Sequence, residues 1–447
     1  SIAPKLRYHA GGHKLDALAG ATGLGWSLDL GASVNRSING GMTDDDGVFN
    51  GLRYLKNPII DRNLCASGVD YSYALNVNLG SNDIEPDLFS YSIPETGGRF
   101  FLGQDVGSNH TDPFLMPYQP VKINPIYTGG TIKSFEIIGT NGTTYFFGDD
   151  QNGNSATETQ IVYNNDQTTT GPGINNWHLT KILAPNSNDA IFLSYQNAND
   201  ITHYSKTWST SFRSNVPVEA GADDNITTPS AIVSDRKTTQ KNVKSITYTN
   251  GRAEFIYSAL GVRTDQPESA KLEKIEVYHT VEGTESLLKT ITFNYSYFKN
   301  GADNDGHLKL DGLSIKDANL SESLDYLFDY HTNNYSWTHQ SNRAPSNAGN
   351  TDLEKQDFFG FYNGIDNDHL ITADFFNNGF VEVVGDPVDR STVTTFMKQC
   401  VLSKITYPSK GYTTFDFETN QYKDGNTIKY AGGLRVSEIK NYNVTTG

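Results

Sequence analysis

Along the chain, apolar and β-branched positions alternate with polar ones in short runs, and clusters of Asn, Gly and Asp separate those runs. A period of two puts alternate side chains on opposite faces of an extended backbone, so the pattern predicts an all-β protein of antiparallel strands joined by tight turns. The clearest hairpin runs from Ser134–Ile138 through Asn141-Gly142 to Thr143–Phe147, because Asn-Gly readily supplies the two positive-φ residues of a type I′ turn. Val243–Thr249, Asn250-Gly251 and Arg252–Tyr257 repeat that arrangement. Further strands are expected at Ala190–Tyr195, Lys271–His279, Leu287–Tyr297, His307–Ile315, Leu324–Tyr330, Phe380–Val384, Val401–Tyr407, Tyr412–Glu418 and Gly433–Tyr442. Helical signals are sparse: Asp61–Leu79 lacks a 3.6-residue period, and Asp265-Gln266-Pro267-Glu268 is followed by no apolar stripe and reads as a loop.

Three stretches break the alternation. Gln151–Gly173 and Asn215–Thr239 are polar and weakly hydrophobic, which predicts long loops or insertions and places the internal boundaries there, and Ser336–Asp352, rich in Asn and Ser, is expected at the surface. The expected division is a β region over 1–150, a loop-rich insertion over 151–240, and a second β region over 241–447. No repeat of fixed period suggests a propeller or solenoid.

Composition supports this picture, since aromatic residues reach 12% and Gly, Asn, Thr and Ser are abundant while Ala, Leu, Glu and Met are scarce. The net charge of −16 is spread along the chain and no Lys/Arg cluster occurs, which argues against nucleic acid or an anionic membrane surface as partner. No apolar run approaches a membrane span, and the start, Ser-Ile-Ala-Pro, has no signal-peptide pattern. The expectation is either a removed signal or a piece of a longer polypeptide. Cys65 and Cys400 are too few and too far apart for a zinc site or a disulfide scaffold, and a single long-range bridge between them stays open.

The segment from Tyr8 to Gly41 carries the most specific pattern. Gly23 and Gly25 flank Leu24 and permit tight backbone geometry, Trp26 offers a large packing anchor, and Leu28, Leu30 and Val34 follow at even spacing, so a kinked entry into a strand is expected. Arg36 shares the face of Val34 on a regular strand and needs a partner if buried.

This stretch resembles the N-terminal portion of large YD-repeat (Rhs-type) proteins of Bacteroidetes and the SpvB-like opening of Tc-toxin B components, where G-L-G-W-x-L leads to an Ile/Val-x-Arg strand. Four later segments extend the likeness in the same order. Glu85–Gly103, with Pro86 and Asp87, is similar to an E-P-D-x-F-x-F element; Glu354–Gly364, with Gly360, Tyr362, Asn363 and Gly364, resembles D-x-x-G-Y-Y-N-G, with Phe359 and Phe361 replacing Trp and Tyr. Ile405–Glu418, with Pro408 and Gly411, looks like I-x-Y-P-x-G-G-x-T-x-F-x-Y, with Lys410 in place of the first Gly; Gly432, Gly433 and Arg435 match a G-G-L-R-I strand. The resemblance spans residues 8 to 439 and implies the antiparallel wall of a large β shell, upstream of YD repeats that this sequence lacks.

Candidate chemistry is thin. Asp44 and Asp46, and Asp303 and Asp305, lie in Asp-rich turns that could supply oxygen ligands to a structural Ca²⁺, but neither has EF-hand spacing and both suit turns held by side-chain to backbone hydrogen bonds. No Gly-x-Ser-x-Gly, His-Glu-x-x-His or phosphate-loop pattern occurs, so no catalytic residue, metal ligand or cofactor is assigned. The aromatic runs Tyr145–Phe147 and Phe358–Tyr362 could stack on sugars or fill core positions.

The resemblance implies a non-catalytic structural and interaction segment of a secreted or outer-membrane-associated surface protein or toxin casing of a Gram-negative bacterium. Its implied partners are the downstream shell of the same polypeptide, the type IX export machinery and other surface proteins, with no nucleic acid and no membrane span. The alternative is a glycan-binding adhesin with aromatic or Ca²⁺-assisted sugar contacts.

Overall fold

The computed structural model describes residues 4–40, 43–45, 75, 85–104, 111–150, 153–164, 167–209, 230–298, 306–319, 322–331, 352–371 and 388–443. Among these the chain is almost wholly antiparallel β structure, with a single α-helical turn at Thr394–Met397 and a 3-10 turn at Asp352–Glu354. No helix among the described residues is long and apolar enough to cross a membrane.

Apart from a small ribbon of β1 (Lys5–Tyr8) and β2 (Trp26–Asp29), the strands form one hydrogen-bonded network made of two sheets. The first contains β3 (Ser33–Ser37), β4 (Leu88–Ile93), β5 (Thr96–Gln104), β6 (Thr111–Met116), β10 (Thr157–Asn164), β11 (Gln167–Leu183), β13 (Ile201–Ser209) and β14 (Ser230–Thr238). Its spatial order is β6-β5-β4-β3-β11-β10-β14-β13.

The second sheet begins with β7 (Lys122–Thr128), β8 (Thr131–Ile138) and β9 (Thr144–Gly148), continues through β11 to β12 (Ala190–Asn197), and then becomes a meander. That meander is β15 (Lys241–Tyr248), β16 (Gly251–Tyr257), β17 (Leu272–Val281), β18 (Thr284–Tyr297), β19 (Leu308–Asp317), β20 (Ser323–Tyr330), β21 (Leu402–Thr406), β22 (Tyr412–Asp424) and β23 (Thr427–Tyr442). β15 pairs with β12, and each later strand pairs with its predecessor. β11 belongs to both sheets: Asn176, Trp177 and His178 pair with β3, while Leu179 to Leu183 pair with β9.

The alternating apolar residues fill the space between the sheets. Phe89 of β4 stacks on Phe100 of β5 at 4.9 Å between ring centroids, and Phe135 of β8 meets the ring of Trp177 edge-on at 5.0 Å. Trp177 is fully buried, and its indole N–H donates to the Ile132 carbonyl at 3.1 Å, so the largest core side chain also satisfies its one polar atom. The same core continues along the meander through Leu193, Ile246, Phe255, Ile275, Phe293 and Phe328 to Leu402.

Two sequence expectations need correction. The polar stretches 151–173 and 215–239 are not simply loops: β10, the start of β11 and β14 run through them. β10 is half-buried along nearly its whole length, and the buried face of β14 holds Val233 beside the polar Asp235, so neither shows the apolar alternation that marks a strand over a core.

The two Asn-Gly hairpins form, but neither uses Asn-Gly as a two-residue type I′ turn. In the first, Gly139 N–H donates to the Thr143 carbonyl at 2.9 Å and Gly142 N–H to the Gly139 carbonyl at 3.0 Å, which leaves a three-residue loop with only Gly142 at positive φ, +82°. In the second, Tyr248 pairs with Gly251, and Thr249 and Asn250 make the connection. The 265–268 segment is a loop, as expected. The expected strand at 380–384 and most of 336–352 lie outside the described residues. Cys400 is a free thiol, its pKa raised by complete burial, and Cys65 lies outside the described residues.

Candidate functional site

Strand alternation turns Val34 and Arg36 of β3 into the core, and the guanidinium of Arg36 is the consequence that has to be satisfied. Its Nη1 lies 2.7 Å from an Asp45 carboxylate oxygen and 3.6 Å from one of Asp87, with all three side chains at 0–1% exposure. Nε donates to the Ile174 carbonyl at 2.7 Å, and the cation lies against the rings of Phe89 and Trp177, 5.6 and 5.1 Å from their centroids.

The carboxylates then reach the backbone. Asp45 accepts the Ile132 N–H at 2.6 Å, Asp87 accepts those of Asn39 and Asp44 at 3.0 Å each, and Asp44 accepts that of Asp87 at 2.9 Å. One cation thus ties β3, β8, β11 and the turn before β4 together. Burial, then the neighbouring Asp44 charge, push the Asp87 pKa up to about 8 against the opposing pull of Arg36 and the two N–H donors.

The Gly23–Trp26 element builds a second junction. Gly23 and Gly25 sit at φ +97° and +77°, and Leu24 N–H donates to the Leu308 carbonyl at 2.9 Å, which lays the turn against the start of β19. A side chain on Gly25 would place its Cβ 2.7 Å from the Tyr8 ring. Trp26 packs between Tyr8 (4.9 Å) and Phe328 (4.7 Å), and its Nε1 donates to the Tyr330 hydroxyl at 2.8 Å. Tyr8 closes the junction by accepting the Leu402 N–H at 2.9 Å. The β1–β2 ribbon is therefore clamped onto the inner face of β19–β21.

A third junction gathers residues from three distant parts of the chain. Asp357, fully buried, accepts the N–H groups of Phe359 and Phe361 at 2.9 and 3.0 Å and the Thr392 hydroxyl at 2.8 Å, so it shapes the Phe-Phe-Gly-Phe turn around Gly360 at φ +82°. Tyr362 N–H donates to the His13 carbonyl, and Leu434 N–H to that of Gly11, each at 3.0 Å. Asn363 donates to the Ser391 carbonyl at 3.1 Å, and Gly364, at φ +70°, lies under the Phe396 ring. Gly432 has no room for a side chain: an added Cβ would lie 2.1 Å from that of Phe359, and Gly433 turns at φ +87°.

The remaining motif residues lie apart from these junctions. Pro408 and Gly411 flank the β21–β22 turn, where Tyr407 N–H donates to the Gly411 carbonyl and Lys410 itself takes φ +68°. Arg435 is exposed and pairs with Glu418 across β22 and β23 at 2.8 Å, while Pro86 lends its carbonyl to Asn39. Asp44 turns its carboxylate onto the Asp87 N–H; Asp46, Asp303 and Asp305 lie outside the described residues. No group of three or more potential ligand side chains is arranged for a metal ion among the described residues.

Sequence reading missed three buried groups. Asp45 is the principal partner of Arg36. Arg263 and Asp265 form a two-pronged pair at 2.9 and 2.8 Å whose outer atoms hold Ala19 O and Leu308 N–H. Glu354 accepts from Lys206 Nζ at 2.6 Å and Trp208 Nε1 at 3.0 Å, joining β13 to the 352–371 segment. Arg36 carried a local signal, the in-facing strand parity; Arg263 and Asp265 stand two positions apart but nothing in the sequence marks them as buried, and the Glu354 contacts join residues far apart in the chain. These charged groups are sealed in by the sheets and point at backbone, so the arrangement fixes where chain segments cross. No family model matches the chain, and no curated protein matches it.

Proposed function

We propose that the chain is a non-catalytic wall segment of an exported YD-repeat-type surface protein or toxin casing, whose sheet is continued by further strands of the same polypeptide. The type IX route of export belongs to the same reading. The observation that carries it is the free edge of β23. This strand runs for 16 residues, pairs on one side only with β22, and has no other strand partner among the described residues.

Natural sheets guard such edges with proline, charge or short length. The outer strands β6 and β7 follow that rule, because Pro113 and Pro125 each remove a donor from the ladder. β23 contains no proline, and although Lys429, Arg435, Glu438 and Lys440 put charge along it, Val436, Ile439 and Tyr442 are exposed as well. An edge of that length, with no outer partner for its backbone from Arg435 onward among the described residues, suits extension by another strand.

Hydrogen exchange on the full-length gene product and on residues 1–447 alone tests this reading. Along Arg435–Tyr442, those β23 amides that face away from β22 are expected to exchange at least tenfold more slowly in the full-length protein. Equal rates in the two proteins would refute it.

A further inference from the structure

The junction of the two sheets leaves a groove of about 380 Å³, walled on one side by β2 and the turn after it and on the other by β11, β12, β15 and β16. Its size falls at the lower end of small-molecule sites, which run from about 300 to 1,000 Å³. The polar groups facing it divide into two sets. The charged ones are already engaged: Asp29 with Arg7 and the Gly31 N–H, and Lys241 Nζ with the Asn197 side chain. The groups left open are neutral.

His178 is the first of these. Its Nε2 lies 3.0 Å from Glu158, which also accepts from Asn176 Nδ2 at 3.1 Å and from the Lys241 N–H at 2.9 Å. Burial raises the Glu158 pKa, but the donors from His178, Lys241 and Asn176 outweigh it and hold the carboxyl below its ordinary range. The Glu158 carboxylate takes the Nε2 hydrogen, which leaves Nδ1 as the ring nitrogen open to a ligand. The ring is held flat against Tyr195, 5.0 Å between centroids at 29°, and no protein group among the described residues bonds Nδ1.

Tyr257 is the second open group. Its hydroxyl has no hydrogen-bond partner among the described residues and lines the same groove. Leu28, Leu30 and Val243 supply apolar wall between these polar points. An open ring nitrogen on an oriented imidazole, a phenol able to donate or accept, and apolar surface between them match the hydroxyl edges and C–H faces of a sugar ring. With Asp29 turned to Arg7 and the Lys241 ammonium to the Asn197 side chain, the groups left to meet a ligand are neutral, which matches a neutral one.

We propose that this groove binds an uncharged sugar unit, with His178 Nδ1 accepting one hydroxyl proton and the Tyr257 hydroxyl bonding another. Saturation-transfer NMR and calorimetry with the methyl glycosides of glucose, galactose, mannose and N-acetylglucosamine, and with glucuronate as the charged comparator, test it. At least one neutral glycoside is expected to bind with Kd on the order of 1 mM.

Tyr257→Phe, which keeps the ring and removes only the hydroxyl, is expected to weaken binding roughly three- to tenfold, the usual worth of one hydrogen bond. His178→Gln, whose amide can still donate to Glu158, is expected to do the same with an unchanged melting profile. Failure of every neutral glycoside to bind the folded protein, tighter binding of glucuronate, or binding indifferent to both substitutions would overturn the proposal.

Discussion

Replacing Arg36 by Met probes the junction that the most sheets depend on. Methionine keeps much of the length and can lie against the Phe89 and Trp177 rings, so the change isolates charge from packing. What it removes is the 2.7 Å contact to Asp45 and the 2.7 Å bond to the Ile174 carbonyl, each a charge-assisted hydrogen bond of about 1.5–3 kcal/mol. What it leaves is the Asp45 carboxylate, at 1% exposure, with only the Ile132 N–H still bonded to it.

Breaking a buried ion pair from one side costs about 3–5 kcal/mol, a large part of the roughly 5–15 kcal/mol that holds a domain together. Urea denaturation followed by tryptophan fluorescence reads this as a lower midpoint with an unchanged slope. The double variant Arg36→Met/Asp45→Asn is expected to recover about 1–3 kcal/mol of that loss, since the stranded charge is gone. A loss below about 1 kcal/mol for Arg36→Met, or losses of the two single variants that simply add, would refute the reasoning.

Three further outcomes follow from the geometry. Because the folded-state pKa of Asp87 is raised from 3.8 to about 8, the folded protein holds a proton that the unfolded chain has released between those values. Stability is therefore greatest below that window and falls as pH rises through it, by up to about 1.4 kcal/mol per pH unit, and Asp87→Asn should flatten the slope measured by denaturation between pH 5 and 8. An unchanged slope in the variant would assign the pH dependence to other groups. Gly432→Ala forces a methyl group against Phe359 and should lower stability by about 1–3 kcal/mol in thermal melts, whereas an unchanged melt would mean that the Phe359 turn yields freely. Lys410→Gly should act in the opposite direction, raising stability by about 0.5–1 kcal/mol by relieving φ +68°; a lower melting temperature would contradict it.

Alternation located the strands wherever one face meets the core. β12, β16, β17 and β19 were legible because Leu193, Phe255, Ile275 and Leu310 recur on the buried side. The same rule hid β10 and β14: Thr-Glu-Thr-Gln and Ser-Asp-Arg-Lys look like loop sequence, yet backbone pairing with β11 and β13 makes them strands. Arg36 was readable as a residue that needs a partner. Its partner was not, because the choice among Asp44, Asp45 and Asp46 depends on how the turn approaches β8. The Gly432–Phe359 contact lay beyond sequence reading for a different reason: a glycine demanded by a neighbour 73 positions away resembles one demanded by a turn.

The strand shared between the sheets has a consequence for how the molecule comes apart. Since Asn176–His178 hold one sheet and Leu179–Leu183 the other, neither can fray past this backbone without unzipping the ladder that supports its neighbour. The amides on both sides of that changeover should exchange together, through the rarest and most global opening, while the outer strands β6 and β13 open locally and often.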